Sequence, residues 1–357
     1  MISVCHIVGG IVGGGVEQVI VNYCSKIKNV QFALLYQYNP DEACLSKLES
    51  AGIECVRIPE KGLHPIKHCL SIYSFLKKEK CDAVHVHLDW FQSWIICIIA
   101  YIAGVRKRII HHHRFYQERT FVHRVIFFVM QRLNLFCSTN RLACSEDAAI
   151  NGFGKNAYDN GFVKIIPNAV DIDHFKYDLK NRNDIRRQYG VNENICIGCV
   201  GRFSVEKNQI FLLDVLEHIL KSRTDVCLML IGNGPDKSML ENVVSQRNLK
   251  DKVVFVESQS DVSLFYSAMD FFCLPSKSEG FGMVLVEAQI NGLRCFASNG
   301  VPKSVKISEG LNFLPINKSS VWADAILNAD FSHDYFANAT SFNINNCYKD
   351  LETIYLE

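Results

Sequence analysis

The sequence predicts an α/β protein built from two parallel-sheet domains, and three features predict it. A chain of 357 residues is long enough for two cores. Short apolar runs alternate with helix-length segments, as they do where parallel strands are joined by crossover helices. The alternation occurs twice, and a polar, charged stretch at 171–194 (DIDHFKYDLKNRNDIRRQYGVNEN) separates the two series. The expected domains are 1–170 and 195–339, with 171–194 as linker and a C-terminal helix at 340–357 that packs back on the first domain.

The first series opens with SVCHIVGG, an apolar run ending in glycines. GGGVEQVIVNYC follows, with Val16, Val19, Ile20 and Tyr23 at helical spacing. A strand, a glycine turn and a helix leave backbone N–H groups facing whatever binds above the sheet. Strands continue at QFALLYQY, ECVRI, AVHVHL and RIIHH, with helices such as 66–78 and 91–103 between them. The most apolar run, Trp94 to Ala103, is too short to cross a bilayer and reads as a buried helix. Residues 119–136 (RTFVHRVIFFVMQRLNLF) read as an amphipathic helix with a basic edge, which either packs on its own domain or touches an anionic membrane surface. RLACS and VKIIPN close the domain.

The second series runs ICIGCVG (strand), 209–220 (helix), VCLMLIG (strand), 237–248 (helix), KVVFV and DFFCLP (strands) and 282–291 (helix). After RCFAS the pattern weakens, and the last forty or so residues look helical with polar interruptions.

Composition excludes several classes. Hydrophobic residues at 48% and charged residues at 21% describe a folded chain. The formal charge of +1 hides an asymmetry: residues 1–169 hold 19 Lys+Arg against 13 Asp+Glu, and the remainder 19 against 24. The excess concentrates between Arg106 and Arg141, where Glu118 stands alone against Arg106, Lys107, Arg108, Arg114, Arg119, Arg124, Arg132 and Arg141. Such a patch favours an anionic partner. Fifteen cysteines, an odd number set mostly in apolar runs, fit reduced core residues of a cytoplasmic protein. The start, MISVCHIVGG, has no basic n-region, so no secretion signal is expected.

Chemistry concentrates in four places. In LPSKSEGFGMVLVE, Glu279 belongs to the loop Glu279–Gly280–Phe281–Gly282 and Glu287 to the helix behind it. Eight helical steps would turn one about 80° from the other, so they do not form one carboxylate face. The glycines instead let the backbone approach a ligand whose two ends the glutamates could hold. In GCVGRFSVEKNQI, Arg202 and Lys207 lie in a strand-to-helix turn and suit an anionic group such as a diphosphate. At strand ends, His85 and His87 share one face, as do His111 and His113, so both pairs can line one pocket. Neither triplet has the Cys or i,i+4 His partner of a zinc site, so no metal is expected there. Neither VGGIVGGGVEQ nor IGNGPDK contains GxGxxG, because Gln18 and Lys237 stand at the third glycine position after Gly13 and Gly232. A dinucleotide dehydrogenase is thereby disfavoured.

Taken together and in order, GGGVEQ, ACSEDA, IIPNAVDIDHF, VGRFSVEKNQ, LMLIGNGPD and DFFCLPSKSEGFGMVLVEAQINGL closely resemble the retaining GT-B glycosyltransferases of family 4. The arrangement of HVH and RIIHHHR is most similar to the branch that builds bacterial capsules and exopolysaccharides. The resemblance implies two Rossmann-like domains facing a cleft and transfer of a hexose or related sugar from a nucleotide-diphosphate sugar, a UDP-sugar being favoured, to a lipid-linked or glycan acceptor. By position, it implies that Arg202 and Lys207 neutralise the diphosphate, Glu287 holds the ribose and Glu279 meets the sugar. The backbone at Gly280, Phe281 and Gly282 would help, and Gly232 would line the donor site. Gly14 and Gly15 would let the first loop approach phosphates or acceptor. His113 stands where the active-site histidine is expected, with His111 and His87 as alternatives because the register of HHH is ambiguous.

Two cations and a helix N-terminus can offset a diphosphate without Mg²⁺, so no cofactor is expected beyond the donor itself. No nucleic-acid partner is expected. Glu257 and Ser258 depart from the glycine the family usually has near the base pocket. Two other readings use the same architecture: a nucleotide-sugar epimerase, and a binding subunit of a polysaccharide assembly complex without turnover.

Overall fold

The computed structural model describes residues 1–12, 14–88, 90–113, 121–259, 261–331, 333–334 and 338–357. Gly13, Arg114, Glu118 and Arg119, which entered the turn and charge arguments, lie outside these residues. The chain divides into two compact units, Met1–Val170 with Ser341–Glu357, and Asp171–Thr340.

The first unit alternates β1 (Ile2–Ile7), α1 (Gly15–Cys24), β2 (Val30–Tyr36), α2 (Glu42–Ser50), β3 (Ile53–Arg57), α3 (Pro65–Lys78), β4 (Ala83–Val86) and α4 (Trp90–Ala103). It continues with β5 (Lys107–His112), α5 (Phe121–Cys137), β6 (Asn140–Ala143), α6 (Glu146–Phe153), α7 (Lys155–Asp159) and β7 (Lys164–Ile165). The seven strands are parallel in the order β3-β2-β1-β4-β5-β6-β7. The order reverses between β1 and β4, and such switch points leave a crevice beyond the strand ends where ligands bind in open α/β sheets.

The second unit carries α8 (Leu179–Gln188), β8 (Ile195–Val200), α9 (Ile210–Leu220), β9 (Val226–Ile231), α10 (Lys237–Gln246), β10 (Val253–Val256) and α11 (Ser263–Ala268). After these come β11 (Phe271–Leu274), α12 (Met283–Ile290), β12 (Arg294–Ser298), β13 (Leu311–Leu314) and α13 (Ser319–Leu327). Its six parallel strands run β10-β9-β8-β11-β12-β13, so the switch point lies between β8 and β11. β8 and β9 are buried throughout, which is why they read as continuous apolar runs rather than alternating ones.

The stretch 171–194 is not a free linker. It folds into the second unit around α8, whose Arg182 and Arg186 turn inward onto the buried carboxylate of Asp270 while Arg187 stays exposed. Arg182 Nη2 lies 2.5 Å from Asp270 Oδ1 and Arg186 Nη1 3.1 Å from Oδ2, while the backbone N–H of Cys196 donates to Oδ2 at 2.7 Å. A run of charge that looks solvated is here an internal clamp.

The C-terminal helix α14 (Ile344–Leu356) belongs to the first unit. It buries Ile344, Cys347, Leu351 and Tyr355, one stripe at helical spacing, in the core of that unit. Lys107 Nζ donates to the Tyr355 carbonyl at 2.8 Å and the Ile354 carbonyl at 3.2 Å, placing a cation on the helix's negative end.

Candidate functional site

In the second unit the candidate donor residues gather at the β8/β11 switch point. β8 ends before Gly201, and the loop to α9 is knit by its own backbone: the N–H groups of Lys207 and Asn208 both donate to the Ser204 carbonyl at 3.0 Å. Asn208 takes a left-handed φ of 58°, tolerated by asparagine, and its amide donates to the Pro275 carbonyl at 3.2 Å. That turn delivers Lys207 Nζ to Glu279 Oε1 at 2.6 Å, and Ser276 Oγ donates to the same oxygen at 2.7 Å. Glu279 is almost wholly buried, Lys207 about a quarter exposed. The pair therefore presents its cationic face to solvent. Arg202 is exposed; its carbonyl accepts from the Gln209 amide at 3.0 Å, but its side chain makes no hydrogen bond or ion pair among the described residues, so its guanidinium is open to an anion.

Gly282 caps α12 with a left-handed φ of 96°, a conformation that favours glycine. It starts α12 after β11; the Leu285 N–H turns back to the Gly282 carbonyl at 2.9 Å, and the N–H groups of Met283 and Val284 precede the first i→i−4 bond. Glu287, one turn further along α12, is buried and accepts from the Tyr266 hydroxyl at 2.7 Å. Burial, reinforced by that carboxylate, pushes the Tyr266 phenol well above its ordinary range, so it stays a donor. Gly232 has a specific steric role: at φ 146° a Cβ would collide with the Gly201 carbonyl oxygen, so the β8 and β9 loops touch through backbone alone. Beside the place where the family's glycine is missing, Glu257 pairs with Lys237.

In the first unit the β1/β4 switch point carries histidines. His6 lies opposite His85 across β1 and β4. The rings of His85 and His87 stack at 4.1 Å, and those of His111 and His113 also lie 4.1 Å apart. One branch runs His6 Nδ1 to His87 Nε2 (2.9 Å), His87 Nδ1 to His113 Nε2 (2.8 Å) and His113 Nδ1 to Asn168 Oδ1 (3.3 Å). A second joins His111 Nδ1 to His85 Nε2 (3.3 Å) and His85 Nδ1 to the Tyr355 hydroxyl (2.5 Å). His112 faces the other way, onto the Phe153 ring and the Asn134 amide. Burial pushes His6 down to about 3 and His112 to about 4. His85, His87 and His111 are also held well below the ordinary range, by burial first and by neighbouring histidines second.

A pocket of about 180 Å³ opens here, walled by Gly9, Gly10, Gly14 and Gly15 between β1 and α1 and by His87 and His113. The turn is less free than its sequence suggests. Glu17 is buried, and its Oε1 accepts from the Val12 N–H at 2.9 Å, so a carboxylate already sits among the donors a phosphate would use.

The structure thus groups Lys207 with Glu279, and His87 with His111 and His113, while Glu287 stands apart on Tyr266. Sequence reasoning missed His6, Asn168, Tyr355, Ser276 and Tyr266. Strand order brings His6 beside His85; Asn168 arrives from the loop after β7, Tyr266 and Tyr355 from α11 and α14, and Ser276, three residues before Glu279, was near enough in sequence to be found. It also judged the histidines for metal within single strands, whereas two triads form across strands: His6, His85 and His87, and His87, His111 and His113, each with ring nitrogens within 4.8 Å.

Residues 181–326 match the family model described as glycosyl transferases group 1. The protein named as glycosyltransferase EpsF of Bacillus subtilis (strain 168) is 31% identical over 335 residues, 91% of this chain and 87% of the relative. An Escherichia coli UDP-Gal:alpha-D-GlcNAc-diphosphoundecaprenol alpha-1,3-galactosyltransferase is 30% identical over 243 residues, 66% of this chain and 62% of the relative. Among solved structures, Anabaena Alr3699/HepE in complex with UDP and glucose superposes with a TM-score of 0.82 at 18% identity, covering 99% of each chain.

Proposed function

The chain belongs to the group 1 glycosyltransferases, with the GT-B fold, and we propose that it transfers a sugar from a UDP-sugar to a lipid-linked or glycan acceptor, with retention and without a metal ion. The observation that carries the proposal is the Lys207–Glu279 pair, 2.6 Å apart at a strand-order switch point beside an unpaired Arg202. A leaving diphosphate brings two or more negative charges. Arg202 and Lys207, with the first turn of α12, supply positive potential fixed in place before the reaction, so charge developing on the leaving group is stabilised without solvent reorganisation. Lys207 bridges the phosphate and the Glu279 carboxylate, whose free edge accepts a hydroxyl of the transferred sugar. Glu287, oriented by Tyr266, accepts from the ribose.

Retention follows from attack on the face the phosphate leaves, with that phosphate taking the acceptor proton. The protein contributes position and electrostatics rather than a covalent nucleophile. From the first unit we assign His113 to the donor sugar. Both its ring nitrogens are engaged, by Asn168 and His87, so it meets a sugar hydroxyl by exchanging one of those bonds. Support for the donor and acceptor class comes from the names of the relatives: a UDP-Gal-dependent transfer onto a diphosphoundecaprenol-linked sugar, and a structural neighbour complexed with UDP and glucose.

The test uses purified protein, a panel of nucleotide sugars and membrane lipid acceptors in EDTA, with the product anomer read by NMR. Donor-dependent transfer that falls by about 10²-fold or more in Lys207→Ala and Glu279→Ala is expected. Full activity in both variants would sink the assignment.

We also propose that α5 rests on the anionic inner face of the membrane. No helix among the described residues is long and apolar enough to cross it. Val122, Val125, Val129 and Phe136 form one exposed apolar stripe, Phe136 at 89% exposure, and Arg132 lies 5.0 Å over the Phe128 ring. Flotation with anionic liposomes should weaken when Arg124 and Arg132 become Glu, and unchanged flotation would return α5 to a purely structural role.

A further inference from the structure

The histidine ladder has a determinate proton order. Asn168 presents its amide oxygen to His113 Nδ1, so that nitrogen carries the proton and Nε2 holds a lone pair. His87 then donates from Nδ1 to His113 Nε2, and its own Nε2 accepts from His6 Nδ1. His6 Nε2 faces Cys24 Sγ at 3.6 Å. Each ring is a neutral imidazole, the form that ligates metals. His111, only 1% exposed, has no hydrogen-bond partner of ordinary geometry for its Nε2 among the described residues, the Ile166 backbone being a weaker polar neighbour of the ring. A buried imidazole nitrogen without such a partner, beside two neutral rings on a pocket wall, is a vacant ligand position.

We propose that His87, His111 and His113 bind one divalent transition-metal ion of the zinc class, and that its binding blocks transfer. The binding rests on geometry alone; the blockade rests on the role given to His113 above. Three imidazoles leave a fourth, open position for water, the set that suits Zn²⁺ and its Co²⁺ and Ni²⁺ analogues. The 180 Å³ pocket gives the ion and that water a way in.

A zinc–nitrogen bond of about 2.0–2.1 Å sets tetrahedral ligands about 3.3 Å apart. His87 Nδ1 and His113 Nε2, now 2.8 Å apart, therefore separate by a fraction of an ångström as the ion replaces the shared proton. That proton is balanced within the ladder. His87 loses it from Nδ1 and gains one on Nε2, which now donates to His6 Nδ1. His6 moves its own proton to Nε2, toward Cys24, and none is released. Asn168 keeps His113 in the ligating tautomer. The other triad, His6, His85 and His87, is disfavoured at its third member: both ring nitrogens of His85 are held by groups outside that triad, Tyr355 and His111, whereas His111 keeps Nε2 unbonded and His87 and His113 give up only the bond they make to each other.

The full-length chain, stripped with EDTA, would be titrated with Zn²⁺ by calorimetry and with Co²⁺ by visible absorption. One equivalent is expected, weakened about tenfold or more in His111→Gln and in His113→Gln and kept in His85→Gln. No saturable binding, binding unchanged in the first two variants, or loss confined to His85→Gln would overturn the site. Since substitutions in a buried ladder could unfold the unit, the wild type would also be labelled with diethyl pyrocarbonate. Zn²⁺ should slow modification of the half-buried His87, and an unchanged rate counts against the site. Transfer that persists at calorimetrically full occupancy overturns the blockade. Absence of transfer in EDTA would instead overturn the functional reading and leave the titration to judge the metal site.

Discussion

Acid should unfold the first unit before the second, and buried histidines set the size of the effect. Burial lowers His6 from an ordinary 6.5 to about 3 and His112 to about 4. A depressed folded-state value means that the unfolded chain takes the proton first. The stability held by these groups is therefore complete above the unfolded value of about 6.5 and is lost as pH falls toward the folded values. At 1.36 kcal/mol per unit, going from about pH 7.5 to pH 5 removes about 2 kcal/mol for each, or about 4 kcal/mol for the two. His85, His87 and His111 shift the same way, so the full loss is larger. Domains hold only about 5–15 kcal/mol in total. Among the described histidines of the second unit only His333 is shifted down, and the window stays above the range where carboxylates titrate. The assay is urea unfolding at the two pH values, followed by pulsed hydrogen exchange at one fixed pH, comparing peptides from β4 and β5 with peptides from β8 and β9. The first unit should lose about 4 kcal/mol or more and the second much less. A loss below about 1 kcal/mol in the first unit, or an equal loss in both, would refute the reasoning.

Two further outcomes test the second unit. Asp270→Asn removes the one carboxylate that satisfies Arg182, Arg186 and the Cys196 N–H, and should cost about 3–5 kcal/mol in urea titrations read on β8 peptides; a change under about 1 kcal/mol would mean the clamp is not holding α8. Tyr266→Phe deprives Glu287 of its hydroxyl donor and should raise the donor KM several-fold, about 1 kcal/mol, with kcat little changed. A fall in kcat at constant KM would place Glu287 in the chemical step instead.

The alternation of strands and helices was legible because burial on both faces makes β8, β9 and their partners continuous apolar runs. What misled was charge. The polar run 171–194 looks like a solvated connection, yet Arg182 and Arg186 are internal because Asp270 waits for them some eighty residues later. The weak pattern after RCFAS conceals β13 and α13, a short strand and a nine-residue helix whose apolar stripe is only Trp322, Ala323 and Ile326. Residue types alone pointed to Arg202, Lys207, Glu279 and Glu287, but not to the pairing of Lys207 with Glu279. That depends on a left-handed Asn208 that no spacing rule announces.

The histidines show the same limit from the other side. HVH and HHH each announce a face, and the proposed ligands come from both, but the proton ladder also needs His6, which lies seventy-nine residues before His85. Only the order β1-β4-β5 makes them neighbours. Once assembled, one physical cause has two consequences. Excluding water keeps the rings neutral, so each can hold a neighbour's proton or a metal with its lone pair, and the same exclusion makes acid protonation of the unfolded chain favourable. A variant that opens the ladder to water should therefore gain acid resistance as it loses the fixed proton order, and the two changes should appear together in any substitution at Asn168 or Tyr355.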